Sequence, residues 1–318
     1  MFRYLVAATI AFTPVTATAQ DWPSARSIKF IVPFPAGGST DLGARLVADF
    51  VGKRLGQSTV VENMAGANGS IGTAAAAKSA PDGYTVLVAP DSVSSAAHVF
   101  KVNYDALKDL VPVVQLTRQP VVLAVHPSLQ VGTVADLVRI GKERSDLSYV
   151  TSGVGSQQHM VGEWFAKLAG FKMVHVAYRG GGQAINDLVA GHVKIGSLGS
   201  APVLPHHTAG TLRILAQSTK SRAAGLGDVP TYSEAGFPDI VLDQWLGVFL
   251  PAGAAGTIAN RLNAEMNAAL ADTEIRAKMG QSALEPIGGS AAQFATLVRE
   301  DYEKYARLVK ELGIKANQ

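Results

Sequence analysis

One local pattern recurs along the sequence: a short apolar segment, a loop rich in glycine and small polar residues, and then an amphipathic helix. The first example runs from the apolar segment 27–34 through the loop 35–41 into apolar residues at helical spacing over 42–55. A short apolar run bounded by Gly and Pro is typical of a buried strand, and apolar residues at i, i+3, i+4 and i+7 are typical of a helix. Repetition of such units favours an α/β fold with mainly parallel sheets covered by helices on both faces.

The later segments extend this pattern and then change it. Further strands are predicted at 59–62, 84–89, 147–151, 173–177, 193–198, 212–217 and 246–250, with a strand pair near 111–125. From Thr257 onward the pattern is almost wholly helical. We therefore predict two α/β lobes connected by two crossings, with the C-terminal helices completing the first lobe. The predicted division is 1–19 as a signal peptide, 20–122 plus 250–318 as lobe 1, and 123–249 as lobe 2.

The segment 1–19 has the pattern of a cleaved secretory signal. Arg3 precedes the mostly apolar stretch 4–12, and Ala17-Thr18-Ala19 is a small-x-small cleavage site. The apolar stretch is shorter than a membrane-spanning helix, and the proline and threonines after it disfavour a membrane anchor or a buried N-terminal helix. We predict an exported, periplasmic protein whose mature chain runs from Gln20 to Gln318.

Composition narrows the possible functions. The chain has no cysteine, which excludes disulfides and metal sites built on thiolates. A formal net charge of +3 results from 28 basic and 25 acidic residues. These charges are spread along the chain, and no Lys/Arg run is long enough to follow a phosphate backbone. We therefore expect no nucleic-acid partner.

Motifs for nucleophilic, metal or nucleotide chemistry are missing. The sequence contains no G-x-S-x-G, H-E-x-x-H or G-x-x-x-x-G-K-[ST] pattern. Gly153-Val154-Gly155 lacks the third glycine of the dinucleotide fingerprint, because that position is Gln158. The adjacent pair His206-His207 points two ways on a helix and chelates poorly. We expect a protein that is not an enzyme and uses neither a cofactor nor a metal.

Three strand–loop–helix junctions have a composition suited to binding an anion. They occupy 34–41, 152–157 and 178–183, and each places glycines between the end of a strand and the start of a helix. Glycine lets backbone N–H groups approach a ligand, and a helix N-terminus carries partial positive charge. Three such junctions facing one cleft would bind a small negatively charged molecule. For any one loop, the alternative is a tight connection with no ligand.

Three side chains near these junctions have both a binding and a structural interpretation. Arg179, inside a Gly-rich loop, could pair with a carboxylate, although loop arginines are more often solvated. His159, early in a helix, could contact a ligand or could pack and cap the helix. Trp245, beside the second predicted crossing, could form a pocket wall or pack against the hinge.

Several motifs occur in an order that is specific to one family. VPFPAGGSTD at 32–41, VVEN at 60–63 and APDGYT at 80–85 are followed by GVGS at 153–156 and WLG at 245–247. These motifs resemble the solute-binding proteins of tripartite tricarboxylate transporters, the Bug family, over essentially the whole mature chain. The resemblance implies a two-lobed periplasmic binding protein of Venus-flytrap, type II-like architecture, each lobe a mainly parallel sheet flanked by helices.

The resemblance also implies a function and a site. The protein would capture a small organic carboxylate, with mono-, di- and aromatic acids as candidates, and deliver it as a monomer to an inner-membrane permease of a large and a small subunit. In the family, the loops matching 34–41 and 151–159 face the ligand from opposite lobes. The candidate ligand-binding residues are Phe34, Gly38, Ser39, Thr40, Asp41, Ser152, Gly155, Ser156, His159, Tyr178, Arg179, Gly181, Ser200 and Trp245.

The chain departs from the family pattern at two places. Ala177 stands where relatives commonly have proline, and 196–200 reads GSLGS where relatives often have an acidic residue. Loss of an anion beside the pocket would ease binding of a second carboxylate or a bulkier acid.

Two other functions remain open at this point. The alternative is a periplasmic sensor that presents a bound carboxylate to a membrane signalling receptor. Such a sensor could use the same residues as a transport receptor. An exported α/β hydrolase or isomerase ranks third, because the nucleophile, thiol and metal motifs are missing.

Overall fold

The structure is a computed structural model that describes residues 22–316, so the predicted signal segment 1–19 lies outside the described residues. Its strands are β1 (Ile28–Val32), β2 (Thr59–Asn63), β3 (Thr85–Pro90), β4 (Leu110–Val125), β5 (Ser148–Thr151), β6 (Val174–Ala177), β7 (Ile195–Gly199), β8 (Arg213–Gln217), β9 (Asp243–Pro251) and β10 (Glu285–Pro286). Its helices are α1 (Ser39–Leu55), α2 (Ser70–Ala77), α3 (Ser92–Ser95), α4 (Val134–Glu143), α5 (Gln157–Ala169), α6 (Gly181–Val189), α7 (Ser200–Thr208), α8 (Gly256–Ala271), α9 (Thr273–Gly280) and α10 (Ala291–Leu312). Within 22–316, no helix combines the length and the hydropathy that crossing a bilayer requires.

The sheet has two parallel groups of strands joined by antiparallel ones. Its order is β2-β1-β3-β9-β4-β7-β5-β6, and β8 and β10 also pair with β4. The parallel pairs are β1–β2, β1–β3, β5–β6 and β5–β7, whereas every antiparallel pair involves β4 or β9. The sheet therefore has a first half around β1 and a second half around β5, and the predicted two-lobed α/β fold is confirmed.

β4 is one continuous strand, which corrects the predicted strand pair near 111–125. Its first part pairs with β9 as far as Pro120, and its last part, from Val121, pairs with β7. Pro120 has no N–H to donate and is tolerated because it lies where the strand changes partners. Pro120 thus marks a change of partner rather than a turn.

Helices cover both halves of the sheet, and one helix contacts both. Val47 of α1 and Met266 of α8 belong to the core of the first half, and Met160 of α5 belongs to the core of the second. α10 contacts β4, α3 and α5. Its buried face includes Phe294 and Tyr305, two members of the apolar stripe seen in the sequence.

Candidate functional site

A cavity lies beyond the carboxyl ends of β1, β3, β5 and β6, between the two halves of the sheet. The residues that line it are Phe34, Pro35, Gly38, Ser39, Thr40, Pro90, Thr117, Gln119, Ser152, Gln158, Gly181, Pro202, Gln244, Trp245, Leu246 and Leu284. Its volume is about 40 Å³, whereas pockets for small molecules usually measure roughly 300–1,000 Å³. The two halves thus pack closely together here, and the cavity in this structure is too small for an organic acid.

A larger groove of about 990 Å³ lies on the surface beside the start of α4 and β8. Its lining includes Val131, Thr133, Arg213 and Glu234, and none of the three junctions reaches it. Ligands of open α/β sheets bind beyond the carboxyl ends of the strands. We therefore place the candidate site in the small cavity between the halves.

The first junction contributes the residues that begin α1. Gly38 has an extended backbone and precedes the helix, so Ser39 and Thr40 lie in its first turn. The N–H groups of a first turn have no partner within the helix. Both residues line the cavity together with Gly38, so this helix start can donate to a ligand there.

Asp41 fixes the loop of this junction and does not line the cavity. Its carboxylate accepts hydrogen bonds from Arg45 Nε at 3.0 Å, Asn63 Nδ2 at 2.9 Å and the Gly37 N–H at 3.1 Å. Burial raises the pKa of Asp41, but these hydrogen bonds outweigh burial, so the pKa lies below its ordinary value. The carboxylate is charged and fully engaged in holding the loop.

The second junction is held by hydrogen bonds among three predicted site residues. Ser156 caps α5: its Oγ accepts from the His159 N–H at 3.2 Å and donates to the Gly153 carbonyl oxygen at 2.7 Å. The Gly155 N–H donates to His159 Nδ1 at 3.1 Å, and Gly155 has a φ of 73°, which favours glycine. Ser152 lines the cavity, while the other three residues do not.

His159 is a neutral, packed histidine. Its exposed fraction is 1%, and its ring stacks on His175 with the centroids 3.7 Å apart. Burial, followed by the charge of His175, lowers the pKa of His159 to about 3. Because Nδ1 accepts from Gly155, the proton of the neutral ring is assigned to Nε2.

The third junction packs against the first through glycines. Gly181 begins α6 and lines the cavity. A Cβ on Gly182 would lie 3.0 Å from the Ala36 carbonyl oxygen, and a Cβ on Gly180 would lie 2.8 Å from Pro35 Cδ. Any side chain at these two glycines would hold the loops apart, so they permit the close approach of the two halves.

Three predicted residues lie near the cavity without lining it. The Tyr178 hydroxyl donates a hydrogen bond to Asp187, and the Arg179 side chain is exposed. Ser200 is buried at the start of α7, where its Oγ donates to the Ala283 carbonyl oxygen at 3.3 Å.

Trp245 lines the cavity and also packs within the connection between the halves. Its Nε1–H donates to Asp301 Oδ2 at 2.6 Å. Its ring packs against Phe249 and Phe294. The side chain thus joins β9 to α10 while one part of it faces the cavity.

A buried carboxyl group, Asp91, follows Pro90 of the cavity wall. It is 1% exposed, and neither of its carboxyl oxygens has a hydrogen-bond partner within the described chain. Burial, followed by the charge of Asp301, raises the pKa of Asp91 to about 8. The Gln244 amide and the Tyr305 hydroxyl lie near enough to oppose this shift, although neither is close or aligned enough to make a hydrogen bond to the carboxyl group. Asp91 is therefore mostly protonated and uncharged at neutral pH.

Several lining residues were not predicted from the sequence. They are Pro35, Pro90, Thr117, Gln119, Gln158, Pro202, Gln244, Leu246 and Leu284. Thr117 and Gln119 are polar residues inside an otherwise apolar segment, which was an available signal. Gln244 has no comparable signal, because only the pairing of β4 with β9 brings it opposite Gln119.

Comparison with known protein sequences gives matches over most of the chain. The family model described as tripartite tricarboxylate transporter family receptor matches residues 43–314. Protein BugT of Bordetella pertussis is 35% identical over 302 residues, which are 94% of this chain and 92% of BugT.

Solved structures also match over most of the chain. Periplasmic binding protein BugD superposes with a TM-score of 0.87 and 26% identity, over 92% of this chain and 99% of BugD. Rpa4515 of R. palustris, solved with adipate, superposes with a TM-score of 0.89 and 32% identity, over 93% of this chain and 99% of that protein.

Proposed function

The chain belongs to the tripartite tricarboxylate transporter receptor family, and we propose that it captures a small organic carboxylate between its lobes and delivers it to a tripartite membrane transporter. The observation that carries this proposal is the convergence of three junctions on one cavity, which Ser39, Ser152 and Gly181 all line. The N–H groups at helix starts carry partial positive charge and favour an anion. The adipate bound to the similar Rpa4515 supports the same class of ligand.

We propose that the predicted site residues act in two ways. Ligand contacts are assigned to Phe34, Gly38, Ser39, Thr40, Ser152, Gly181 and Trp245, which line the cavity. Support of the two loops is assigned to Asp41, Gly155, Ser156 and His159, whose hydrogen bonds hold those loops. Tyr178, Arg179 and Ser200, which do not line the cavity, stay predicted contacts.

Closure of the lobes would couple binding to recognition by the transporter. The proposed lobes are 20–122 with 250–318, and 123–249, with β4 and β9 as the connections. A ligand that contacts both lobes shifts the population toward the closed form by those extra contacts. Micromolar affinity requires about 8 kcal/mol, which a few charge-assisted hydrogen bonds together with burial can supply.

We propose that the ligand is released chemically unchanged. His159 is neutral, and its Nδ1 already accepts from Gly155. The Ser156 hydroxyl is engaged in capping α5. Using either group as a base or nucleophile would break the loop that builds the site.

The family and the sequence support a proposal for the cellular role. We propose that 1–19 directs export and is removed, and that the monomer acts in the periplasm with a permease of a large and a small subunit. A sensor would use the same cavity. Deletion of this chain in its host separates the two roles: a transport receptor loses uptake of the labelled acid, whereas a sensor loses only the transcriptional response to it.

A thermal-shift screen of mono-, di- and tricarboxylates, including adipate and benzoate, tests the binding proposal. A ligand at about a hundred times its Kd should stabilise the protein by roughly 2.7 kcal/mol. The double variant Ser39→Ala, Ser152→Ala removes two hydroxyls from the cavity but keeps the backbone N–H donors, so it should reduce the shift, and Ser233→Ala, an exposed serine elsewhere, should keep it. If no carboxylate raises the Tm, the proposed function is wrong.

A further inference from the structure

The cavity is lined by three glutamine side chains and by no charged one among the described lining residues. The three are Gln119, Gln158 and Gln244. A primary amide can donate through its nitrogen and accept through its oxygen. Which end is available to a ligand depends on what each amide already contacts.

The orientation of Gln119 is determined by a backbone group. Its Oε1 accepts from the Ala201 N–H at 3.1 Å. A backbone N–H can only donate, so the atom facing it must be the amide oxygen. The Gln119 nitrogen therefore points to the other side.

Gln244 is oriented in turn by Gln119. The two residues lie opposite each other on β4 and β9, and Gln119 Nε2 donates to Gln244 Oε1 at 2.9 Å. A Cβ on Gly199 would come within 2.7 Å of Gln244 Oε1 and 2.8 Å of Gln119 Nε2. The pair is thus packed directly on the backbone of Gly199, which holds both amides in place.

The orientation of Gln158, in the first turn of α5, is also determined by a backbone N–H. Its Oε1 accepts from the Ser152 N–H at 2.9 Å, again a group that can only donate. Its backbone carbonyl oxygen accepts from Ser197 Oγ at 2.7 Å, which ties the first turn of α5 to β7. Each of the three amide oxygens therefore already accepts a hydrogen bond within the protein. The amide hydrogens that these bonds do not use are the donors left for a ligand, and those of the Gln244 amide also lie near the neighbouring Asp91.

We propose that Gln119, Gln158 and Gln244 make the cavity selective for acids without an ammonium group, and that the protein discriminates against amino acids of the same carbon skeleton. This inference rests on the proposed function. An ammonium group has three N–H donors and is held best by a carboxylate. No carboxylate is among the described lining residues, and the amide oxygens that do line the cavity already accept hydrogen bonds within the protein. An ammonium group would also lie beside the positive ends of the helices at the junctions. A carboxylate or oxo group, by contrast, accepts from both kinds of donor.

Matched ligand pairs test the selectivity of the wild-type protein. Isothermal titration calorimetry would compare adipate with 2-aminoadipate, glutarate with glutamate, and succinate with aspartate, since each pair differs by one ammonium group. The acid of the best-bound pair should bind at least tenfold tighter than its amino acid. Equal or tighter binding of the amino acid would overturn the inference while leaving carboxylate binding intact.

Replacement of single amides tests which residues are responsible. Gln244→Glu and Gln158→Glu exchange a donor for an acceptor at nearly constant size. Each should weaken binding of the acid at least tenfold and reduce or reverse its preference over the amino acid. Gln281→Glu makes the same chemical change at an exposed position outside the cavity and should change neither value.

The controls separate the possible failures. Gln244→Met and Gln158→Met remove the donor without adding charge and give the same readout if a Glu variant does not fold. If acids bind but every amide variant keeps the wild-type ratio, the assignment of selectivity to these residues is wrong. If neither these pairs nor the wider carboxylate screen shows binding to the wild type, the proposed function fails together with the inference.

Discussion

The hydroxyl of Ser95 donates to the carbonyl oxygen of Gly155 at 2.9 Å, in a buried hydrogen bond between residues 60 positions apart. Ser95 ends α3, just after β3, and Gly155 lies in the loop between β5 and α5. The bond therefore connects the two halves of the sheet beside the cavity. In the proposed opening of the lobes both groups would bond to water instead, so this contact would stabilise the closed form specifically.

Ser95→Ala should weaken ligand binding without unfolding the protein. A typical hydrogen bond contributes about 0.5–1.5 kcal/mol net, so the Kd of the best acid from the screen should rise about twofold to tenfold. Calorimetry measures the change. Ser94→Ala is a matched control, because Ser94 Oγ is buried and has no partner within the described residues. Equal effects of the two substitutions would contradict a role for the Ser95 bond in closure.

Gly182→Ala should oppose closure while leaving the fold intact. The added Cβ would lie 3.0 Å from the Ala36 carbonyl oxygen of the first junction. Overpacking costs about 1–3 kcal/mol, so the Kd should rise at least about fivefold. Alanine favours a helix over glycine, so the Tm without ligand should not fall greatly. Gly256→Ala, whose Cβ would meet nothing within 4 Å, should leave the Kd unchanged.

The junctions could be predicted from the sequence because their signals are local. The segment 28–41 shows an apolar run, two adjacent glycines and a helix start within a few residues, and the structure places β1 and the start of α1 there. The same holds for Ser156, whose hydroxyl caps α5. A loop whose conformation is determined by contacts within a few residues can be recognised without knowledge of the rest of the fold.

The contact between Gln119 and Gln244 in the cavity wall could not be predicted, because the two residues are distant in sequence. Gln119 and Gln244 are 125 positions apart and meet only through the register of β4 with β9. The segment 111–125 was predicted as a strand pair, but it is the single strand β4, with Pro120 inside it. The position of Pro120 between two pairing partners is visible only in the assembled sheet.

Asp91→Asn should change how stability depends on pH. The pKa of Asp91 is about 8 in the folded protein, compared with an ordinary value of 3.8. Between these values the folded state holds a proton that the unfolded state has released, so this group makes the protein less stable as pH rises from about 4 to about 8. The free energy of unfolding of the variant should not show this decrease, so at pH 9 the variant should be more stable than the wild type.

Urea denaturation of both proteins at several pH values measures this difference, because the contributions of all other groups largely cancel. Asp301→Asn is the informative comparison. Asp301 accepts from Trp245 at 2.6 Å and from Lys304 at 2.7 Å, so its replacement should destabilise the protein throughout the neutral range. A wild-type minus Asp91→Asn difference that does not vary with pH would contradict the buried, protonated state of Asp91.

The central claim is that the protein binds a carboxylate by closing its two lobes around it. The chain contains no cysteine, so cysteines introduced at Asp49 of α1 and Glu143 of α4, both exposed, can carry spin labels selectively. Double electron–electron resonance then gives the distance distribution between the lobes with and without the best acid from the screen. We predict that a saturating acid converts the ligand-free distribution into a single, narrower population. An unchanged distribution, at an acid concentration for which calorimetry shows full binding, would contradict the account.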